Sequence, residues 1–355
     1  MLASSLCFGA LIIACCTFAD RLGHALGVID HPDGARKVHA RPTPLVGGIA
    51  LMMPLLVILG TQLVQQPESA AILTALGIAI VGFVGLGWYD DRHHLAPATR
   101  LWFSISFCLG LVAFEPALRL EQVTIGPLTI TLGALAVPLT VLCLVGLQNA
   151  INMADGINGL VIGLSIFWTF CLLLYAPDSL QIYLAFLLVG LLILLPYNLL
   201  GFLFLGDAGS YSLGVTTGLL MIYVYSMTPY DLPVLTVVVW LLVPVLDCLR
   251  VIVTRLADTR SPLTADRNHL HHRLARFFQW PASMLAYLAI AALPGLVAAF
   301  WPETSPAMLA LGTLVYGSVI WLTRERHAPA QETSPAQGGR PFRLAALRLS
   351  GINRD

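Results

Sequence analysis

Five polar clusters interrupt an otherwise apolar chain, and each holds residue types suited to phosphate or metal chemistry. In the densest, Asn149, Asn152, Asp155 and Asn158 recur every third residue, with Gly156 and Gly159 close behind. Residues three apart share one side of a helix with slow drift, and Gly156 after Asp155 predicts a turn in that helix. A polar loop with Asp-Gly turn chemistry is the plain alternative, although such a turn needs no three asparagines. Amides and a carboxylate at this spacing suit a uracil or sugar amide together with a phosphate-bound metal. A second cluster, Phe204-Leu205-Gly206-Asp207-Ala208-Gly209-Ser210, leads into a helical stretch. Asp207 there reads either as a helix N-cap or as a magnesium ligand, with Gly206 and Gly209 letting phosphate approach the backbone.

The adjacent carboxylates Asp90 and Asp91, followed by Arg92, His93 and His94, end an apolar run. Such a pair repels itself and needs a nearby cation or a retained proton. Lys37, the only lysine in the chain, stands with His39 and Arg41 before Pro42-Thr43-Pro44 and Gly47-Gly48. It reads either as an ordinary basic flank or as a cationic phosphate ligand placed by a rigid Pro-x-Pro segment. The last cluster begins with Asp247 and Arg250, one helical turn apart, whose plain role is mutual neutralisation. It continues through Arg255, Arg260, Asp266, Arg267, His269, His271, His272 and Arg273. Three histidines at this spacing suit zinc, but carboxylate partners at zinc spacing are absent. Interleaved with Arg267 and Arg273, they form a donor array for pyrophosphate oxygens.

The elements that must position these groups are transmembrane helices. Charged residues make up only 11% of the chain, against about 25% in soluble domains, and apolar runs near the ~20 residues of a span recur throughout. Spans are expected near 2–19, 45–64, 70–88, 99–114, 132–149, 158–176, 180–198, 209–227, 232–252, 282–301 and 306–322, about eleven in all. The fold class is therefore an all-α polytopic membrane protein. Loops 20–44, 89–100, 150–157, 199–208 and 250–281, with the tail, hold 18 of the 19 Lys and Arg residues, and the opposite loops hold only Arg119. By the positive-inside rule the N-terminus is outside, and the C-terminus and all five clusters are cytoplasmic. Residues 1–19 lack the basic start of a signal peptide and read as a first span.

Two parts are expected: a membrane-embedded domain over 1–323 with cytoplasmic active-site loops, and a basic, mostly disordered tail over 324–355 that meets anionic lipid. A hairpin-like pattern covers 121–131 on the outer face. The seven cysteines fall in apolar runs without a C-x-x-C pair and read as small buried hydrophobes. Zero net charge excludes nucleic acid as a bulk electrostatic partner. Carboxylates gathered at one boundary, with midplane charge nearly absent, disfavour an ion-coupled transporter.

Taken in order, the clusters resemble the polyprenyl-phosphate N-acetylhexosamine-1-phosphate transferase family. The matching elements are Lys37-x-His39 with Pro44 and Gly47-Gly48, then Asp90-Asp91, then Asn149-x-x-Asn152-x-x-Asp155-Gly156-x-x-Gly159, then Phe204-x-Gly206-Asp207-x-Gly209-Ser210, and last Asp266-Arg267-x-His269-x-His271-His272. The form His269-Leu270-His271-His272-Arg273-Leu274 is similar to the branch that transfers N-acetylglucosamine-1-phosphate. The muramoyl-pentapeptide branch, a sister using UDP-MurNAc-pentapeptide, typically has a longer unbroken histidine run. Two positions depart from the pattern: Asn158 stands where many relatives have Asp, and Gly201, Phe202 and Leu203 are neutral where a basic residue is common.

The resemblance implies a UDP-sugar donor, undecaprenyl phosphate as acceptor, release of UMP, and Mg2+ (or Mn2+) as cofactor in a bacterial inner membrane. It makes Asp207 and Asp155 the metal ligands. Catalytic work falls to Asp90, Asp91, Asp155, His269, His271 and His272, with Asp90 and Asp91 orienting the lipid phosphate or removing its last proton. Substrate binding falls to Lys37, His39, Asn149, Asn152, Asn158, Phe204 and Arg267, with Phe204 stacking on uracil. Membrane lipid surrounds the enzyme, and a homodimer is one assembly open to it.

Overall fold

Each apolar run folds as a helix in the computed structural model, which describes residues 2–32, 41–228, 231–261 and 268–324. Among the described residues the helices are α1 (Leu2–Thr17), α2 (Ala19–Leu26), α3 (Gly47–Gln65), α4 (Ala70–His93), α5 (Pro97–Phe114), α6 (Ala136–Ala154), α7 (Leu160–Leu173), α8 (Asp178–Leu199), α9 (Gly206–Met227), α10 (Val234–Ala257), α11 (Leu270–Ala275), α12 (Ala282–Phe300) and α13 (Ser305–Leu322). The only sheets among them are two short antiparallel pairs. β1 (Ile29–Asp30) pairs with β2 (Thr43–Pro44), and β3 (Gln122–Ile125) with β4 (Leu128–Thr131). The second pair is the expected hairpin, with Ile125 opposite Leu128 across a Gly126-Pro127 turn. Gly126 takes a positive φ of 57° there, which a side chain would oppose.

The fold is thus an all-α multi-pass membrane protein. Eleven spans are expected, and length and composition alone qualify fewer. Among the described residues, eight helices are long and apolar enough to cross a bilayer, or nine if α1 and α2, bent 72° at their junction, make one span. Two of the expected spans fall outside that number. Helix α7 has only 14 residues, short of the ~20 that a bilayer needs. Helix α9 carries Asp207, Ser210, Ser212, Thr216 and Thr217 along its 22 residues.

The reason for the polarity of α9 is its position. It packs against α3, α4, α6 and α7, and every residue from Ala208 to Tyr225 is buried. A helix enclosed by protein need not show lipid an apolar surface, and close helix contact favours small residues. A Cβ added to Gly48 on α3 would lie 2.1 Å from the Gly209 nitrogen, and one on Gly87 of α4 would lie 2.3 Å from Ala208 Cα. Two glycines on neighbouring helices therefore let the backbone of α9 touch theirs. Ser212 Oγ turns back on its own helix and donates to the Ala208 carbonyl at 2.6 Å, while Thr216 Oγ1 is buried without a hydrogen-bond partner among the described residues.

One end of this bundle is laced together by backbone bonds between distant segments. The Phe204 amide donates to the Pro44 carbonyl, Gly47 to Phe204 and Gly48 to Leu205, each at 2.9 Å. The approach to α3 and the approach to α9 are thereby fixed as one unit.

Candidate active site

Helix α9 begins without a side-chain cap from its own chain neighbourhood, yet the first amides of a helix need acceptors. Asp91, at the end of α4, supplies them. The Asp207 amide donates to Asp91 Oδ1 at 3.0 Å and the Ala208 amide to Oδ2 at 3.2 Å. A carboxylate at a helix N-terminus is also favoured by the helix dipole. Gly206 makes the approach possible: it has φ 73°, and a Cβ there would lie 2.8 Å from Asp91 Oδ2. The two matched sequence clusters, 116 residues apart, are one structural joint.

Asp90 faces the other way. It is buried, and its Oδ1 accepts the Leu95 amide at 2.8 Å. Its Oδ2 accepts from Tyr211 Oη at 2.7 Å and from Arg100 Nη1 at 3.1 Å. All four oxygens of the Asp90-Asp91 pair therefore accept hydrogen bonds from the protein. The cation that the pair demanded is Arg100.

Asn152, in the last turn of α6, donates from Nδ2 to Asp207 Oδ1 at 2.7 Å and to Ser210 Oγ at 3.1 Å. Asp155 caps the same helix. It keeps part of its surface open while lying deep among protein atoms. Burial and, next, the neighbouring Asp207 charge push its carboxyl up to about 7. Two carboxylates thus sit close enough to repel, each partly open, beside an amide that orients one of them. Among the described residues no group of three or more His, Cys, Asp or Glu side chains is arranged to hold a metal. Two carboxylates without a protein cage nevertheless fit a hard cation that keeps its waters and meets substrate phosphate.

The histidine loop reaches the same place from the far side. A Cβ on Gly156 would lie 2.2 Å from His271 Nε2, so the ring lies against the turn that carries Asp155. His271 is buried with neither ring nitrogen hydrogen-bonded. Burial, followed by His272 and His269, drives its pKa down to about 3. His271 is therefore held as a neutral imidazole. His272 tilts against it with ring centroids 4.1 Å apart, and His269 stacks on it at 5.7 Å and 8°.

The remaining sequence candidates divide. Asn149 Nδ2 donates to the Val145 carbonyl at 2.8 Å, one helical turn back along α6. Asn158 lies beyond the end of α6, where its carbonyl accepts from Trp280 Nε1 at 3.3 Å. The three-residue period of the asparagines holds only through Asn152, because the helix stops at Ala154. Phe204 sits at the joint between the α3 and α9 approaches. Lys37, His39, Asp266 and Arg267 lie outside the described residues, as does the tail from 325.

Three positioning residues had no reading as such in the sequence. Asn198 accepts the Gly159 amide at 2.6 Å and donates to the Leu203 carbonyl at 3.2 Å, tying the Asp155 turn to the Asp207 approach. Its signal was an asparagine at the polar end of an apolar helix. Arg41 donates to the Gly201 carbonyl at 3.0 Å and lies over the Phe202 ring at 5.0 Å, bringing a cation to the neutral stretch 201–203. Asp247 does more than neutralise Arg250: it also accepts from His269 Nδ1 at 2.9 Å.

Comparison with known proteins places the chain in a family. The model of glycosyl transferase family 4 matches residues 73–225, the stretch that carries Asp90, Asp91, Asn152, Asp155 and Asp207. The chain is 30% identical over 282 residues to a decaprenyl-phosphate N-acetylglucosaminephosphotransferase of Mycolicibacterium smegmatis (70% of this chain, 68% of the relative). It is 29% identical over 322 residues to an undecaprenyl-phosphate alpha-N-acetylglucosaminyl 1-phosphate transferase of Yersinia pestis, covering 85% and 86% of the two chains. A probable undecaprenyl-phosphate N-acetylglucosaminyl 1-phosphate transferase of Bacillus subtilis is 29% identical over 269 residues, 72% of each chain. With its carboxylates, amide and histidines gathered at one end of the bundle, this chain belongs to glycosyl transferase family 4, the polyprenyl-phosphate N-acetylhexosamine-1-phosphate transferases.

Proposed function

We propose that the protein transfers N-acetylglucosamine-1-phosphate from UDP-N-acetylglucosamine to undecaprenyl phosphate and releases UMP, at the cytoplasmic face of a bacterial inner membrane, with Mg2+ as cofactor. The observation that carries this reading is the meeting of Asp207, Asn152, Asp155 and the His271 ring at one end of the bundle, from segments far apart in sequence. The relatives' names supply the sugar and the lipid, and the placement of 18 of 19 Lys and Arg residues supports the cytoplasmic side.

In this reading an oxygen of the lipid phosphate attacks the phosphorus that bears the sugar. A new P–O bond forms as the bridging P–O bond to the nucleotide phosphate breaks, and UMP leaves. One phosphoric anhydride replaces another, so charge handling dominates the catalyst's task. A phosphate monoester loses its second proton near pH ~6, which leaves little need for a strong base. Asp207 and Asp155 would hold Mg2+, which when bound offsets the repulsion between the two phosphate anions. Asn152 fixes the rotamer of Asp207 through its Oδ1. Neutral His271 has one ring N–H to donate to a pyrophosphate oxygen without adding charge. Asp90 and Asp91, expected to orient the lipid phosphate or remove its last proton, act in this reading through placement: Asp91 sets the first turn of α9, and Asp90 holds Arg100 and Tyr211.

The test is donor profiling of purified protein with undecaprenyl phosphate and Mg2+. Lipid-dependent UMP release from UDP-N-acetylglucosamine is the expected result. Release only from UDP-MurNAc-pentapeptide would move the donor to the sister branch. No release with any UDP-aminosugar would overturn the transferase reading.

A further inference from the structure

Asp247 is only 4% exposed, within the apolar length of α10, where a carboxylate is costly unless fully partnered. A single ion pair with Arg250 would neutralise it, but its two oxygens serve four groups. They accept from Arg250 Nη2 at 2.8 Å, Tyr316 Oη at 3.1 Å, His269 Nδ1 at 2.9 Å and the Leu270 amide at 3.0 Å. Two of these donors are the first residues of the histidine loop. The same loop is gripped again one residue earlier: Arg250 Nη2 donates to the Asn268 carbonyl at 2.6 Å, and Arg273 Nη2 to Asn268 Oδ1 at 2.6 Å. Helix α10 thus holds residues 268–270 through Asp247 and Arg250, with Tyr316 of α13 bracing both.

The consequence for His269 is chemical. An imidazole whose Nδ1 hydrogen is given to a carboxylate presents Nε2 as its remaining polar atom. Among the described residues no hydrogen bond to His269 Nε2 occurs. The ring stacks on His271, which in turn lies against the turn bearing Asp155. A continuous path runs from Asp247 through two stacked rings to the turn at Gly156, next to Asp155.

We propose that Asp247 is a positioning residue that holds the Nδ1 hydrogen of His269 and turns Nε2 toward the UDP-sugar, where Nε2 in its protonated form donates to a phosphoryl oxygen. The carboxylate also balances the charge of the ring whenever Nε2 carries a proton and donates it in a hydrogen bond. This inference rests on the transferase reading for its substrate, but its geometry can be tested without turnover.

The experiment uses full-length protein in detergent with 15N-labelled histidine, and His269→Gln assigns the His269 signals. The wild type is expected to show His269 protonated at Nδ1, and Asp247→Asn to lose that tautomer. In UMP release, D247N is expected to lower turnover about 10- to 100-fold. Added to H269Q, it should cost less than about a further twofold, because the two residues act as one unit. An unchanged tautomer in D247N, or losses that multiply in the double variant, would overturn the proposal. Asp247→Glu guards against a folding failure, since it keeps a carboxylate at the site. It should retain the tautomer, and wild-type turnover in a D247E protein that had lost it would also refute the idea. If the wild type releases no UMP from any donor, the transferase reading fails while the 15N spectrum still decides the role of Asp247.

Discussion

The two ends of the helix bundle use their charged side chains differently. At the hairpin end, charges close on their own neighbourhood. Glu115 Oε1 accepts the Ala117 amide two residues on, and Arg119 Nε donates to the Val112 carbonyl seven residues back. At the other end they reach across the fold. Asp91 meets Asp207 over 116 residues, Asp90 meets Tyr211 over 121, and Asp247 meets His269 over 22. A short-range bond caps a turn and asks little of the rest of the chain. A long-range bond to a buried carboxylate requires several helices to be in place first, and its cost is offset by what it positions. The neutral contact between Tyr225 Oη and the Thr124 amide shows that the hairpin end is also anchored, but without charge.

This contrast predicts a gradient of effects. The largest belongs to the close contact beneath the site: Gly48→Val drives a side chain into the α9 backbone, and a clash there cannot relax by a rotamer change. No monodisperse protein is expected on size exclusion. Next, Asp91→Ala removes the acceptor for two amides of α9. Loss of a helix cap costs about 1–2 kcal/mol, so a lowered melting temperature is expected together with a fall in UMP release, because Asp207 sits in the turn that loosens. Asn152→Ala should leave melting nearly unchanged yet reduce turnover about 10- to 100-fold, the range seen when an orienting partner is removed. Glu115→Ala, at the opposite end, should lower stability by at most about 1 kcal/mol and leave turnover as in the wild type. Comparable turnover losses in Glu115→Ala and Asn152→Ala would erase the distinction between the two ends.

Much of the helical architecture was legible because apolar runs of span length leave few alternatives. The eleven expected runs all became helices, yet α9 and α7 show what hydropathy cannot tell. Enclosure by other helices let α9 carry polar residues, and α7 is short because the Asp155 turn and Asn198 use the chain before it. Side-chain partners were the least legible. Nothing in the order of residues links Asp91 to the amide of Asp207, or Arg100 to Asp90, since those bonds exist only after α4, α5 and α9 pack. The asparagine period misled beyond Asn152 for the same reason: periodicity assumes a continuing helix, and α6 ends at Ala154. The pairing of Asp247 with Arg250 was read from their spacing, whereas its bond to His269 required the fold.

The central claim is that the end carrying Asp207 is the reacting end. The most direct measurement is UMP release by Asp207→Asn beside wild type, across a Mg2+ titration, with UDP-N-acetylglucosamine and undecaprenyl phosphate. The substitution keeps size and hydrogen-bonding capacity but removes the charge. A loss of about 1000-fold or more, not recovered at high Mg2+ in a protein that melts like the wild type, is the predicted result. Wild-type turnover in Asp207→Asn, with an unaltered Mg2+ response, would contradict it.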